Sequence, residues 1–280
     1  MAEWIDAHLH VWRPGRLDYP WLAGEPTLNA PFLPADLDTG GHRVTAAVMV
    51  EAGRRPDQAL DEVGFVEELA AAGPPIVAMV AHASLERGAD ARAELAALSR
   101  HALVTGVRRN IQDEPAGFAV ADPFVAGVRL LADHDYAFDL CVRHWQLAEV
   151  TELVSRAPDV TFVLDHLGKP AVAEARRDPW REDIRRLAGR PNVMCKLSGL
   201  ATEADHARWT AADVLPYLHH ALAEFGAQRC MFGSDWPVAT LATSYRGWVD
   251  TVDQALVGLR DTERDAVTGG TARRVYRLPT

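Results

Sequence analysis

The chain has 280 residues, 48% of them hydrophobic, with three cysteines and a formal charge of −10 at a pI near 5.5. That length buries a large core and fits one domain over residues 1–280, since α/β barrels commonly reach this size. The acidic balance argues against nucleic acid and anionic membrane as partners and points to a small molecule instead. A homo-oligomer is left open. No apolar stretch approaches the length of a membrane span, and the first candidate site residues come within ten positions of Met1. A cytoplasmic location is therefore expected. Cys141, Cys195 and Cys230 lack CxxC spacing and fall in apolar runs, which reads as inert buried thiols of a reducing compartment.

In chain order, strands are predicted at 4–10, 45–50, 76–81, 104–110, 137–142, 161–165, 193–197 and 231–234. Helical patterns lie between them. Leu60, Val63, Val66 and Leu69 form one apolar stripe, and Leu147, Val150, Leu153 and Val154 another. Asp122-Pro123 and Asp178-Pro179 each offer an N-cap followed by proline at the first helical position. Thr210 with Asp213 reads as a capping box, and Gly226 as the stop of that helix. Residues 14–41, rich in Pro and Gly and without periodicity, read as a long binding loop or lid after the first strand. Eight strand–helix alternations predict an α/β fold: a single TIM-like (β/α)8 barrel.

In such barrels the chemistry sits at the C-terminal strand ends. His8 and His10 end the first strand, and positions two apart on a strand share a face, so both imidazoles point the same way, as metal ligands do. Glu51 ends the second strand and His82 the third. Arg108, Arg109 and Asn110 end the fourth, Arg143 and His144 follow the fifth, and Asp165-His166 ends the sixth. Lys196 lies on the seventh, and Asp235 follows the eighth. So many partly buried polar groups would be costly in a protein with no site.

The segments Asp6-Ala-His-Leu-His-Val-Trp12, Gly106-Val-Arg-Arg-Asn-Ile-Gln112, Leu164-Asp-His-Leu-Gly-Lys-Pro170, Cys195-Lys-Leu-Ser-Gly-Leu200 and Phe232-Gly-Ser-Asp-Trp-Pro237 resemble the amidohydrolase superfamily. More narrowly they resemble its lactonase branch, the fucono- and rhamnono-lactonases and pyrone-dicarboxylate lactonase. The resemblance implies hydrolysis of a small cyclic ester, such as a sugar-derived aldonolactone, at the barrel mouth. It assigns His8 and His10 to the strand-one ligand pair, His166 to the strand-six histidine and Asp235 to the strand-eight aspartate. His144 falls near a strand-five position where many members keep a further ligand, though a slip of one residue would turn it away. Strand four offers Arg108 and Arg109 but no Lys or Glu to bridge two metals. One divalent cation, zinc or manganese, is thus expected. A metal-independent mechanism is the alternative, since some members of the branch are thought to work without metal.

The reaction suggests the roles. Asp235 would serve as general base and return the proton to the ring oxygen. His8, His10 and His166 would hold the cation or, without it, donate hydrogen bonds to the oxyanion. Arg108 would grip substrate oxygens with its planar fork, or form a barrel-mouth salt bridge. Glu51, His144 and Arg143 are further candidates for substrate contact. Trp12 and Trp236 offer either a stacking surface for a sugar ring or core packing. Lys196 reads as structural, paired with Asp165 or Glu51. The histidines at 42, 101, 134, 206, 219 and 220 read as solvated surface residues. Two other functions fit the same residues less well: a metal-dependent decarboxylase of a small aromatic or unsaturated acid, and a catalytically silent sugar-acid binding barrel.

Overall fold

The computed structural model describes residues 3–279. Among them, eight parallel strands pair in chain order: β1 (Glu3–Leu9), β2 (Arg43–Val50), β3 (Ile76–His82), β4 (Val104–Arg108), β5 (Ala137–Leu140), β6 (Phe162–Leu164), β7 (Val193–Leu197) and β8 (Cys230–Phe232). The segment beyond β8 closes the ring against β1. The His10 amide donates to the Trp236 carbonyl at 2.7 Å, and the Asp235 amide donates to the His8 carbonyl at 2.8 Å. The expected barrel is therefore present. Strands one, four, five, six and eight end one or two residues earlier than their sequence runs suggested.

Alternation sorts the strand residues into two layers. Ile5, Val48, Val80, Val163 and Met231 fill the barrel interior together with Tyr276 and Leu278. Leu9, Met49, Phe138, Phe162 and Phe232 face outward against the helices. These are α1 (Ala59–Ala72), α2 (Arg92–Leu98), α3 (Asp122–Arg129), α4 (Leu147–Arg156), α5 (Trp180–Ala188), α6 (Ala211–Phe225), α7 (Tyr245–Ala255), α8 (Asp261–Asp265) and α9 (Thr271–Val275). The Thr210 amide donates to the Asp213 carboxylate at 2.7 Å, and α6 stops at Gly226, φ 73°, as its sequence signals indicated. On α4, Leu147, Val150, Leu153 and Val154 are all buried. The α1 stripe is narrower than expected: Val63 and Val66 are buried, whereas Leu60, in the first turn, is largely exposed. Asp122 and Pro179 also sit one position away from their expected roles, Asp122 opening α3 and Pro179 capping α5. Among the described residues no helix is long and apolar enough to cross a membrane.

The first crossover departs from strict alternation, since no α-helix joins β1 to β2. Two short 3-10 turns, Pro20–Gly24 and Pro34–Asp36, stand in its place. Indole hydrogen bonds hold this segment. Trp12 Nε1 donates to the carbonyls of Leu28 (3.1 Å) and Ala30 (2.9 Å), and Trp21 Nε1 to that of Ala52 (2.7 Å). The expected long loop is thus a packed wall beside the barrel mouth.

One irregularity in β1 aims the site. Asp6 pairs with Ala47 but Leu9 with Met49, so β1 carries one extra residue between those pairs. Such a bulge changes which face a side chain addresses. Asp6 faces the seam outside the barrel, where its carboxylate accepts from the amides of His8 (3.0 Å) and Ser234 (2.9 Å) and from the Tyr245 hydroxyl (3.0 Å). His8 and His10 then turn inward with Leu9 between them facing out. Replacing Asp6 with Ala would orphan these donors in a dry seam. Such losses cost about 1–3 kcal/mol per buried group, so urea denaturation of Asp6→Ala is expected to show a loss of about 3 kcal/mol, and Asp6→Asn a smaller one.

Candidate active site

The C-terminal strand ends surround a cavity of about 520 Å³, with His10, Glu51, His82, Arg108, Lys169, His166 and Asp235 on its wall. At its floor four side chains meet. His8 Nε2 lies 3.2 Å from His10 Nε2, and Asp235 Oδ1 lies 3.4 Å from His10 Nε2, 3.8 Å from His8 Nε2 and 3.9 Å from His166 Nε2. All four are nearly or fully buried.

Each imidazole is oriented by a partner on its other nitrogen. His10 Nδ1 donates to the Val50 carbonyl at 2.7 Å, which turns Nε2 toward the cluster. His8 Nδ1 lies 3.1 Å from Asp165 Oδ1, and His166 Nδ1 2.8 Å from Ser198 Oγ. Burial pushes the His166 imidazole down to about 4 and that of His8 well below its usual value. Burial alone would raise the Asp235 carboxyl, but the imidazoles of His166, His10 and His8 outweigh it and hold the group below the usual carboxylate range. His8, His10 and Asp235 bring three ligand atoms within metal-binding reach of one another, and His166 Nε2 stands 3.9 Å from Asp235 beside them, a nitrogen-rich donor set suited to a divalent metal.

Backbone geometry sets two of these residues. His166 (φ 53°) and Asp235 (φ 59°) occupy the left-handed region, which non-glycine residues visit at a cost of about 1–3 kcal/mol. The turns they make swing both side chains off their strands and over the barrel axis. Gly199 and Gly233 make room, since a β-carbon on Gly199 would collide with the His166 ring and one on Gly233 with the β-carbon of His8.

Other expected site residues have different surroundings. The Arg108 fork is occupied: Nε donates to Glu51 Oε1 (2.8 Å), Nη2 to the Glu51 carbonyl (2.5 Å), and Nη1 lies 3.5 Å from Asp165. Glu51 also faces Arg54 at 3.4 Å, and the two guanidinium groups outweigh burial to hold its carboxyl low. Arg108 and Glu51 thus border the cavity but saturate each other. Arg143, His144 and Trp236 lie off its wall. Arg143 stacks over Trp145 and reaches Asp113, His144 Nδ1 bonds the Lys169 carbonyl at 3.0 Å, and Trp236 packs edge-on against Phe32. The turn after β5 carries His144 outward, the register slip its position invited. Trp12 touches the cavity but is fully buried, held by its hydrogen bonds. Lys196 pairs with Asp165 (3.0 Å) and Asp139, while Glu51 belongs to the arginines instead.

Sequence reading missed the support beneath the cluster: Asp139, Tyr276, Ser198 and the orienting role of Asp165. It also passed over Lys169, whose Nζ donates to Gln112 Oε1 at 2.5 Å on the cavity wall. The repeated Asp and Ser at inward strand positions were the available signal. Glu51→Gln would leave Arg108 and Arg54 facing a neutral partner. Breaking a buried pair costs about 3–5 kcal/mol, so chemical denaturation is expected to register Glu51→Gln as a large stability loss.

Comparison with known proteins places this geometry. The amidohydrolase family profile (Amidohydro_2) matches residues 5–278. An L-fucono-1,5-lactonase of Burkholderia multivorans is 41% identical, covering 98% of this chain and 96% of its own length. An L-fucono-1,5-lactonase of Burkholderia ambifaria is 33% identical, covering 98% and 95%. A crystal structure of a Burkholderia multivorans amidohydrolase with bound zinc superposes with a TM-score of 0.90 at 40% identity, covering 99% of this chain and all of that one. A barrel with paired histidines on its first strand, a histidine after its sixth and an aspartate after its eighth, matched over nearly its whole length, belongs to the amidohydrolase family.

Proposed function

We propose that the chain hydrolyses the ring ester of a sugar-derived aldonolactone of the fuconolactone type, with Asp235 as the proton carrier and a zinc ion held by His8, His10, His166 and Asp235. The observation that carries this reading is the convergence of one carboxylate and three imidazoles at a cavity floor, in a chain related over nearly its full length to L-fucono-1,5-lactonases. Nitrogen-rich donors favour zinc over manganese, which prefers oxygen. When bound there, the ion lowers the pKa of water and polarises a carbonyl.

The side chains account for the proton movements. Asp235 accepts a proton from water as the water oxygen attacks the lactone carbonyl carbon. The bond from that carbon to the ring oxygen then breaks, and Asp235 returns the proton to the departing oxygen, giving an open-chain hydroxy acid. The product acid ionises to an aldonate. Lys169, tied to an amide oxygen by its nearest hydrogen bond, offers its charge to the carbonyl oxygen and then to the new carboxylate. Glu51 and Arg108, engaged with each other, leave hydroxyl recognition to His82, Asn110 and Lys169. The strand-five end contributes Cys141 to the wall where a decarboxylase of this fold would need its histidine, and His144 points elsewhere. That favours the lactonase reading.

The test is hydrolysis of L-fucono-1,5-lactone, a rhamnono-lactone and 2-pyrone-4,6-dicarboxylate, followed by a pH indicator. Turnover of the sugar lactones is expected, and turnover of none of the three would overturn the reading. Asp235→Asn should lower kcat by about 10²- to 10⁴-fold, the range for a general base, with its melting temperature unchanged or raised as the carboxylate leaves its buried site. Elemental analysis of the zinc-loaded protein should give a single equivalent per chain. His10→Ala should lose both that equivalent and most of the rate, and two equivalents in the parent protein would contradict a mononuclear site.

A further inference from the structure

The barrel interior beneath the cluster holds a chain of fully buried polar groups that ends at the C-terminal segment. Tyr276, just past α9, enters the barrel beside Ile5, Val163 and Leu278. Its hydroxyl donates to Asp139 Oδ1 at 2.8 Å. The other Asp139 oxygen bonds Lys196 Nζ, which also lies 3.0 Å from Asp165 Oδ1 and 3.1 Å from His8 Nδ1. Tyr276, Asp139, Lys196, Asp165 and His8 are all sealed from water.

His8 Nδ1 therefore has two neighbours of opposite character at equal distance. Asp165 Oδ1, 3.1 Å away, can only accept, whereas the Lys196 ammonium, also 3.1 Å away, can only donate. Toward Asp165, Nδ1 carries the proton and Nε2 offers a lone pair to the cluster. Toward Lys196, Nδ1 becomes the acceptor and the proton moves to Nε2, where it blocks ligation. The position of Lys196 thus selects the His8 tautomer. Its other contacts are the two carboxylates and the face of the Tyr276 ring, 5.4 Å away, which Tyr276→Phe would keep, while the Tyr276 hydroxyl fixes how one carboxylate is turned. Burial and the adjacent Asp139 raise the Tyr276 phenol well above its usual value, so it stays a donor.

We propose that Tyr276 is a positioning residue for the active site: by orienting Asp139 it keeps Lys196 on the carboxylates, and so keeps the His8 proton on Nδ1 and the Nε2 lone pair facing His10 and Asp235. This rests on reading His8 as a ligand, and adds that a residue at the C-terminal end of the chain governs that ligand from inside the barrel. A tyrosine that served only as a plug would need its ring and not its oxygen.

The test compares Tyr276→Phe, which deletes only the oxygen, with Leu278→Ala, which loosens the same plug without touching the polar chain. Ring ¹⁵N NMR of the metal-free protein reads the His8 tautomer, and chelator competition reads zinc affinity. In Tyr276→Phe the His8 signal is expected to move from the Nδ1–H form toward the Nε2–H form. Zinc should bind about tenfold more weakly, within the range for loss of a ligand's outer partner, and kcat should fall with KM unchanged. Leu278→Ala should leave tautomer, affinity and kcat as in the parent. The proposal fails if Tyr276→Phe keeps both the parent tautomer and the parent zinc affinity, or if Leu278→Ala shifts them equally. Should Tyr276→Phe not fold, Asp139→Asn carries the same expectation and the same criterion. Zinc binding indifferent to His8→Ala would overturn the ligand reading, while the tautomer measurement in metal-free protein would still decide the role of Tyr276.

Discussion

Asp165 is a carboxylate with no access to water, and its ionised state is tenable only because donors surround it. Lys196 lies at 3.0 Å, His8 at 3.1 Å and Arg108 at 3.5 Å. Burial works against the charge, yet Lys196 and the neighbouring imidazoles overcome it, holding the carboxyl far below its ordinary range. A buried charge of this kind cannot lose a partner without severe penalty. The strands that supply those partners, β1, β4 and β7, are therefore locked in angle and height around β6. The four-residue cluster at the cavity floor inherits its precision from this anchor.

The polar groups at the barrel mouth divide by whether their hydrogen-bonding capacity is spent. Glu51 and Arg108 are committed to one another, and Arg109 to Glu86 and Glu114. They stiffen the rim and add little free valence. Asp235 retains an oxygen toward the cavity with three imidazoles as its nearest polar neighbours. Its charge is consequently available to chemistry, where the others are consumed by structure. The left-handed backbone at His166 and Asp235 belongs with this pattern, since strain of that kind persists only where the surroundings over-determine it.

Much of this was legible in the residues. Strand–helix alternation gave the barrel, and the two-residue spacing of His8 and His10 gave their common direction. Asp235 and His166 were found from motif and strand end. What stayed hidden required the third dimension. The bulge between Asp6 and Leu9 leaves no mark in composition, although it decides which side chains enter the barrel. Whether Arg108 is free or paired depends on Glu51, 57 positions away. His144 shows how a single turn after a short strand overrides an expectation built on register. Tyr276 could not be connected to Asp139 across 137 positions by any local pattern.

The missing first crossover helix has a consequence for how such a catalyst can diversify. Between β1 and β2 the wall of the mouth is built from indoles and 3-10 turns, fastened by side-chain-to-carbonyl bonds from Trp12 and Trp21. None of those fastenings touches Asp165, Lys196 or Asp139. Insertions and replacements in this stretch can therefore reshape the entrance while the ionic foundation stays intact. The shape of the entrance on this side and the ionic support of the cluster thus rest on separate sets of contacts, so the first can change while the second is kept.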